Sequence, residues 1–114
     1  MGIDFSHGGA QWAYSGFALF RKTIANHEGI DLGKMQGFGG NRHWDSVATP
    51  LRPLLDHSDC DGELTPAECR EVAPALRRIV EAIWESGDYD HGSGLALADG
   101  MEQAAANDEP LEFQ

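Results

Sequence analysis

The strongest pattern in the chain is a stripe of apolar residues that recurs at spacings of three and four after residue 65. This spacing puts the apolar side chains on one face of a helix and the charged ones on the other. Thr65 and Glu68 form a Thr-x-x-Glu capping box, and Pro66 suits the first turn, where no amide proton is needed. We therefore predict a long helix that begins after Thr65, bends at Pro74 and ends before Gly87. Its apolar positions are Cys69, Val72, Ala73, Leu76, Ile79, Val80, Ile83 and Trp84.

Two shorter patterns predict helices over residues 16–27 and 95–106. In the first, Phe17, Phe20 and Ile24 share one face, Ser15 is the predicted cap and Gly29 ends the helix. In the second, apolar residues again recur at helical spacing, and the tail that follows is expected to dock on the core. The inward positions are Leu95, Ala98, Met101 and Ala105, and the docking residues are Leu111 and Phe113.

The other segments lack a long helical period. Thr49 followed by Pro50 is typical of a helix start and predicts a short helix that reaches residue 55, with Pro53 near its first turn. Residues 1–15 and 30–40 are predicted to be irregular, the second with one helical turn, and residues 88–94 to form an acidic turn. No stretch shows the alternation of a strand.

These elements predict a mainly α, small single-domain protein of about four helices with long ordered loops rich in glycine and aromatic residues. A chain of 114 residues is one domain and buries enough surface for a real core. Three parts follow each other: residues 1–48 form a basic part rich in glycine and aromatic residues, residues 49–87 a helix-loop-helix, and residues 88–114 the last helix and tail.

Charge divides the chain into two halves. The net charge is −11, but residues 1–55 carry five Lys or Arg and four Asp or Glu, whereas residues 56–114 carry three and fifteen. So much negative charge argues against general nucleic-acid binding and against binding to anionic membranes. The asymmetry predicts that a small anionic ligand would bind in the first half and a cation in the second.

Cysteine content and hydropathy indicate where the protein works. The two cysteines, Cys60 and Cys69, are too few for a disulfide framework and are predicted to be free thiols. The apolar stretches are too short to span a bilayer, and the opening residues lack the pattern of a signal peptide. We predict a cytoplasmic protein that is a monomer or a homodimer.

Residues 57–68 carry the most specific motif. Their sequence, HSDCDGELTPAE, has oxygen-bearing side chains at its third, fifth, seventh, ninth and twelfth positions, glycine at the sixth and Leu64 at the eighth. This spacing resembles the calcium-binding loop of an EF-hand, in which the glycine makes a sharp turn and the last Glu binds through both oxygens. The resemblance implies an EF-hand-like helix-loop-helix. Its implied Ca²⁺ ligands are Asp59, Asp61, the Glu63 carbonyl, Thr65 and Glu68.

The first position departs from the EF-hand pattern. His57 offers a nitrogen ligand, which suits zinc or another transition metal better than calcium, and Asp56 can replace it only if the backbone shifts. EF-hands usually work in pairs, and no second loop is found. Helix capping and an Asp-Gly turn also explain these residues without any ion. Zinc binding through His57, Cys60 and the aspartates is a further alternative, although the usual Cys/His spacing is missing.

The first half contains flat and basic side chains beside glycines, which expose backbone amides to a ligand. Aromatic rings stack on bases, and arginine pairs with phosphate through two hydrogen bonds. The predicted ligand-binding residues are Trp12, Tyr14, Arg21, Arg42, His43 and Trp44. The alternative is that Trp12, Phe38 and Trp44 belong to the core, because aromatic residues of small domains mostly pack.

Catalytic motifs are missing from the sequence. There is no nucleophile elbow and no HExxH, and the neighbouring side chains of Ser6 and His7 are expected to diverge. The remaining acid–base candidates are Asp4, His7, His43 and Asp45. We therefore predict a protein that is not an enzyme.

Four segments of the chain, residues 6–17, 37–44, 57–66 and 109–113, resemble small proteins of actinobacteria and their phages. The resemblance implies a bacterial host cell but no activity. The leading hypothesis is a non-enzymatic cytosolic binding protein with an EF-hand-like, calcium-binding loop. The alternative is a protein that sequesters a small nucleotide-like signal, encoded by a phage and acting against host defence signalling. A third hypothesis is an acidic module that binds or inhibits a partner protein.

Overall fold

The computed structural model describes residues 2–58 and 61–114. Within these residues the fold is mainly α, as predicted, with four helices and two small antiparallel sheets. The helices are α1 (Tyr14–His27), α2 (Arg52–Leu55), α3 (Pro66–Ile83) and α4 (Tyr89–Ala106), and the strands are β1 (Gly2–Asp4), β2 (Gln11–Ala13), β3 (Glu63–Leu64) and β4 (Leu111–Glu112). One apolar core takes side chains from Ile3 through to Phe113.

The N-terminal segment is a β-hairpin, so the prediction of an irregular arm without strands is wrong. Strands β1 and β2 pair antiparallel, with Ile3 opposite Trp12. In each strand an exposed residue, a buried residue and an exposed residue follow one another. Three residues are too few for this alternation to stand out in the sequence, because the strand signal needs at least four.

Helix α1 begins at Tyr14, two residues earlier than predicted, because strand β2 runs directly into it. The predicted cap at Ser15 is wrong: the N-cap position is Ala13, and no side chain caps it. The predicted end at Gly29 is confirmed, since its φ is +76°. The amides of Gly29 and Ile30 donate to carbonyls of the last turn, which is the Schellman arrangement that a glycine permits.

Helix α2 is a single turn and follows a long connection. Short 3-10 turns form at Leu32–Lys34 and Trp44–Ser46, and the first confirms the helical turn predicted within residues 30–40. The predicted helix start at Thr49 is wrong. The Thr49 hydroxyl accepts a hydrogen bond from the Leu51 amide, and α2 begins only at Arg52, with Pro53 in its first turn.

Helix α3 confirms the predicted start. The Thr65 hydroxyl accepts from the Glu68 amide at 3.2 Å, and the Glu68 carboxylate accepts from the Thr65 amide at 2.9 Å. The helix ends at Ile83, with Pro74 in its interior. Its buried face contains most of the predicted stripe: Cys69, Val72, Ala73, Leu76, Ile79 and Val80.

Helix α4 overturns the prediction of an acidic turn at residues 88–94, because the helix already begins at Tyr89. Glycine at position 94 permits this. A β-carbon there would lie 2.8 Å from a methyl group of Val80, closer than real contacts allow, and 3.1 Å from the ring of Phe20, which is an unusually tight contact. Of the predicted inward residues, Ala98, Met101 and Ala105 are buried, while Leu95 is partly exposed.

The C-terminal tail docks as predicted, with Leu111 and Phe113 buried. Strand β4 pairs antiparallel with β3, so that Leu111 lies opposite Leu64. A further bridge joins Phe5 to Phe113 and brings the hairpin and the tail together. No helix in the described part of the chain is long and apolar enough to cross a membrane.

Candidate functional site

The EF-hand-like segment lies between α2 and α3, and its backbone turns at the predicted glycine. Gly62 has a φ of +94°, a conformation that other residues rarely adopt. Leu64, at the eighth position of the motif, is 1% exposed and anchors the segment in the core. A turn at Gly62, the short strand β3 and the capped helix α3 therefore follow each other along the segment.

The His57 side chain contacts two backbone carbonyls of the segment and the ring of Phe113. Its Nε2 lies 3.1 Å from the carbonyl oxygen of Glu63, and its Nδ1 lies 2.7 Å from that of Ser58. The ring also stacks on Phe113, with centroids 4.1 Å apart. The side chain of the first motif position thus contacts the backbone carbonyl of the seventh, the carbonyl that an EF-hand would turn toward its ion.

The predicted carboxylate ligands do not form a ready-made cage. Glu68 accepts the Thr65 amide through one oxygen, and Asp61 is exposed. Among residues 2–58 and 61–114, no three His, Cys, Asp or Glu side chains are grouped closely enough to hold a metal ion. Asp59 and Cys60 lie outside the described residues.

The C-terminal tail occupies the outer edge of this segment. Strand β4 pairs with β3, and the Phe113 amide donates to the Gly62 carbonyl at 2.9 Å. A second EF-hand loop was not found in the sequence, and here the tail of the same chain pairs with the strand of the loop. The conformation of the segment therefore depends on residues about fifty positions away, such as Phe113.

Cys69 lies in the first turns of α3 and is a buried free thiol, in agreement with the prediction for this residue. Burial raises the pKa of the Cys69 thiol above its ordinary value. The thiol is thus kept protonated, and a protonated thiol is a poor metal ligand. Cys69 is a packing residue of the core.

The six predicted ligand-binding residues do not share one cavity. Trp12 is 4% exposed, packs against Phe5, Phe17 and Phe20, and donates its indole N–H to Asp90 at 2.8 Å. Tyr14 is partly buried against the same core. For Trp12 the core alternative is therefore the better interpretation.

Trp44, His43 and Arg42 lie in the long connection before α2. Trp44 is 4% exposed and donates its indole N–H to the Gln36 carbonyl at 3.1 Å. Trp44 and His43 line a small cavity of about 280 Å³ together with Asp45 and Arg52. Arg42 is exposed, and its Nε donates to the Ser46 hydroxyl at 3.0 Å, so it does not line this cavity.

Arg21 is the predicted residue with the most unusual environment. It is the one buried charged residue in the described part of the chain, at 3% exposure. Its guanidinium donates to the His57 carbonyl at 2.7 Å and to the Leu54 carbonyl at 3.4 Å. A cleft of about 470 Å³ opens beside it. The cleft residues are Arg21, Gln36, Gly37, Phe38, Asp56, His57 and Ser58.

The sequence contained a signal for this burial. Arg21 follows Phe17 by four positions and precedes Ile24 by three, so it shares the buried face of α1. The cleft residues Gln36 and Ser58 had no such signal, since they come from loops whose approach to α1 depends on the whole fold. Sequence reasoning did not include them.

Ser6 and His7 do meet, so the prediction that their side chains diverge is wrong. The Ser6 hydroxyl lies 2.7 Å from His7 Nδ1, and His7 Nε2 lies 3.2 Å from the Glu109 carboxylate. The same hydroxyl accepts the Glu112 amide at 2.9 Å. These contacts join the hairpin loop to the C-terminal segment.

The other acid–base candidates include Asp45, whose carboxylate pairs with the Arg52 guanidinium at 3.2 Å.

Comparisons of the chain with protein-family models, with curated protein sequences and with solved structures find no match.

Proposed function

We propose that this is a non-enzymatic binding protein whose EF-hand-like segment, residues 57–68, binds Ca²⁺. The observation that carries the proposal is the contact between His57 and the Glu63 carbonyl at 3.1 Å. It means that the seventh motif position directs its oxygen toward the side chain of the first, which is the arrangement a coordinated cation needs. The Gly62 turn and the Leu64 anchor support the same geometry.

Binding requires a local rearrangement of side chains. The His57 ring has to leave the Glu63 carbonyl, because the imidazole and a cation compete for the same oxygen. Asp61 is exposed and free to turn inward, and Glu68 is only partly buried at the start of α3. Carboxylates and carbonyls are the donors that calcium prefers, which is why Ca²⁺ rather than Zn²⁺ is the proposed ion.

Bound calcium would act on the elements that the segment connects. The segment joins α2 to α3 and pairs with the C-terminal tail through β3 and β4. An ion that binds the folded segment stabilises the protein by mass action and fixes the positions of α3 and the tail relative to each other. This is the expected role of the ion, and no chemical step is assigned to it.

Calorimetric titration of chelator-treated protein with Ca²⁺, Mg²⁺ and Zn²⁺ tests the proposal. We expect heat with Ca²⁺ and loss of that heat in Asp61→Ala. His57→Asp supplies the missing first-position carboxylate and should tighten Ca²⁺ binding by about tenfold, since affinity in such loops follows the number of charged ligands. Glu81→Gln, an exposed change elsewhere on α3, is the matched control and should bind like the unchanged protein.

The absence of calcium heat both in the unchanged protein and in His57→Asp would contradict the proposal. In that case the segment is a helix-capping turn closed by His57. A Zn²⁺ response that disappears in His57→Ala, without any Ca²⁺ response, would also overturn it and would favour the transition-metal alternative.

The six residues predicted to bind a nucleotide-like ligand do not form one site, because they are distributed over the core, the surface and two cavities. Of these residues, Arg21 alone combines charge with burial beside an open cleft.

A further inference from the structure

We propose that a cleft between the N-terminal hairpin and the start of α4 binds a neutral saccharide. The hairpin contributes Gln11, the connection between α3 and α4 contributes Asp88, and α4 contributes Tyr89 and Gly92. The cleft has a volume of about 570 Å³, which lies within the range that small ligands occupy. The residues that line it lie outside the segment 57–68, so this inference is independent of calcium binding.

Tyr89 presents an exposed aromatic ring in this cleft. It is 63% exposed, and Leu19 is the other large apolar side chain with such exposure in the described part of the chain. The Tyr89 hydroxyl donates to the Gln11 carbonyl of the hairpin, so the ring is held in place without being buried. An aromatic ring fixed in this way can pack against the apolar C–H face of a sugar at little cost in side-chain entropy.

Gly92 leaves open space on the same face of α4. It follows Tyr89 by three positions, which places the two residues side by side on the helix. A β-carbon on Gly92 would meet no atom of the described residues within 4 Å, and the helical backbone does not require glycine. Alanine would favour the helix more than glycine does. Neither packing nor conformation explains the glycine, whereas a ligand that approaches the backbone beside Tyr89 does.

The hydrogen-bonding groups of the cleft suit hydroxyls. The Asp88 carboxylate accepts from the Glu85 amide at 3.1 Å through one oxygen, which leaves its second oxygen to accept from a ligand. Gln11 and Ser86 are exposed, and their side chains offer both donors and acceptors. A sugar hydroxyl donates and accepts at once, so it can pair with each of these groups.

Charge argues for a neutral ligand. The Asp88 carboxylate repels an anion. Asp88 is also the N-cap residue of α4, and the partial positive charge of a helix N-terminus disfavours a cation. A saccharide combines an apolar ring face with uncharged hydroxyls, and it therefore matches both the Tyr89 ring and the polar groups around it.

Three substitutions separate binding from stability. Tyr89→Ala removes the packing surface, whereas Tyr89→Phe keeps the ring and loses only the hydrogen bond to Gln11. Gly92→Ala adds one methyl group to the open space and should not lower the stability of the helix. Leu19→Ala is the matched control, because Leu19 is 61% exposed on α1 and does not line the cleft.

The experiment is an NMR titration of the chelator-treated protein with the methyl glycosides of glucose, galactose, mannose and N-acetylglucosamine. Sorbitol, which has hydroxyls but no ring, and the charged probes choline and phosphate are the comparisons. We expect saturable shifts of the Gly9, Gly87 and Gly92 amides with at least one glycoside and none with the other three probes. Tyr89→Ala and Gly92→Ala should each weaken binding about tenfold, through loss of one aromatic contact or gain of one steric conflict. Tyr89→Phe and Leu19→Ala should bind like the unchanged protein.

The proposal is overturned by the absence of saturable shifts with all four glycosides at high millimolar concentrations, or by shifts that map away from the cleft. Stronger binding of choline or phosphate than of any glycoside would also contradict it. So would unchanged affinity in Gly92→Ala, or weakening by Tyr89→Phe or Leu19→Ala as large as that by Tyr89→Ala. If Tyr89→Ala does not fold, Gly92→Ala gives the decision alone. A failed calcium titration leaves these outcomes unchanged.

Discussion

Helices α3 and α4 are both 18 residues long and pack against each other, but they are specified in different ways. Helix α3 has a complete capping box and a buried face of large aliphatic residues. Helix α4 has no side-chain cap and contains glycine at positions 92, 94 and 100. Helix α3 is specified by sequence signals within its own residues, whereas helix α4 is specified by the residues that pack against it.

The small residues of α4 allow close approach on two sides. A β-carbon on Gly94 would meet Val80 of α3, and one on Gly100 would lie 2.3 Å from the His7 carbonyl in the hairpin loop. Gly8 faces the helix in the same way, since a β-carbon on it would lie 2.4 Å from the Ala96 carbonyl oxygen. Helix α4 is therefore held by backbone contact as well as by side-chain packing, and its stability depends on its neighbours.

Gly100→Ala should give the largest effect among the predictions that test this comparison. The new methyl group would meet backbone atoms of the hairpin loop, which cannot turn aside as a side chain can. We expect the free energy of unfolding to fall by about 2–3 kcal/mol, as overpacking of a tight contact does. Urea unfolding followed by circular dichroism measures it. An unchanged midpoint would mean that the hairpin loop is not in contact with α4.

Thr65→Ala should have an intermediate effect, because it removes the hydroxyl that accepts the Glu68 amide, one of the two hydrogen bonds of the α3 capping box. The expected loss of unfolding free energy is about 1 kcal/mol. Thr23→Ala is the matched control, since the Thr23 hydroxyl only returns to the Leu19 carbonyl within α1. Equal losses in the two variants, measured by the same urea titration, would argue against a special role of the cap.

Gly92→Ala should have the smallest effect and the opposite sign. Nothing lies within 4 Å of a β-carbon at this position, and the residue is exposed in a helix. Alanine restricts the unfolded chain, so the free energy of unfolding should rise by about 0.4–1 kcal/mol. Gly94→Ala, two residues later, should instead lower it. A thermal melt of both variants checks the pair, and a shift of both in the same direction would refute the comparison.

The sequence predicted those elements whose signals lie within a few residues. The capping box at Thr65, the stop at Gly29 and the docking of Phe113 all correspond to local or simply apolar patterns. The start of α4 was missed because glycine usually signals a turn, whereas here it reflects packing against Val80. The hairpin was missed because strands of three residues have no visible period.

The candidate sites show the same limit. The spacing of the residues was enough to locate the loop motif. It could not predict the contact between His57 and the Glu63 carbonyl, because that contact depends on how the His57 ring stacks on Phe113. The six aromatic and basic residues of the first half were grouped by composition. The structure separates them, because side chains near in sequence leave the chain in different directions. The burial of Arg21 was not predicted, although its helical spacing from Phe17 and Ile24 indicated it.

The contact between Ser6 and Glu112 joins residues 106 positions apart. Closing so large a loop costs chain entropy that no local element offsets, and contacts of this kind slow folding. The pairing of the tail with β3 and with the hairpin should consequently form late, after α3 and α4 have associated. The 57–68 segment, completed by that tail, would then be among the last parts of the molecule to reach its final form as the chain folds.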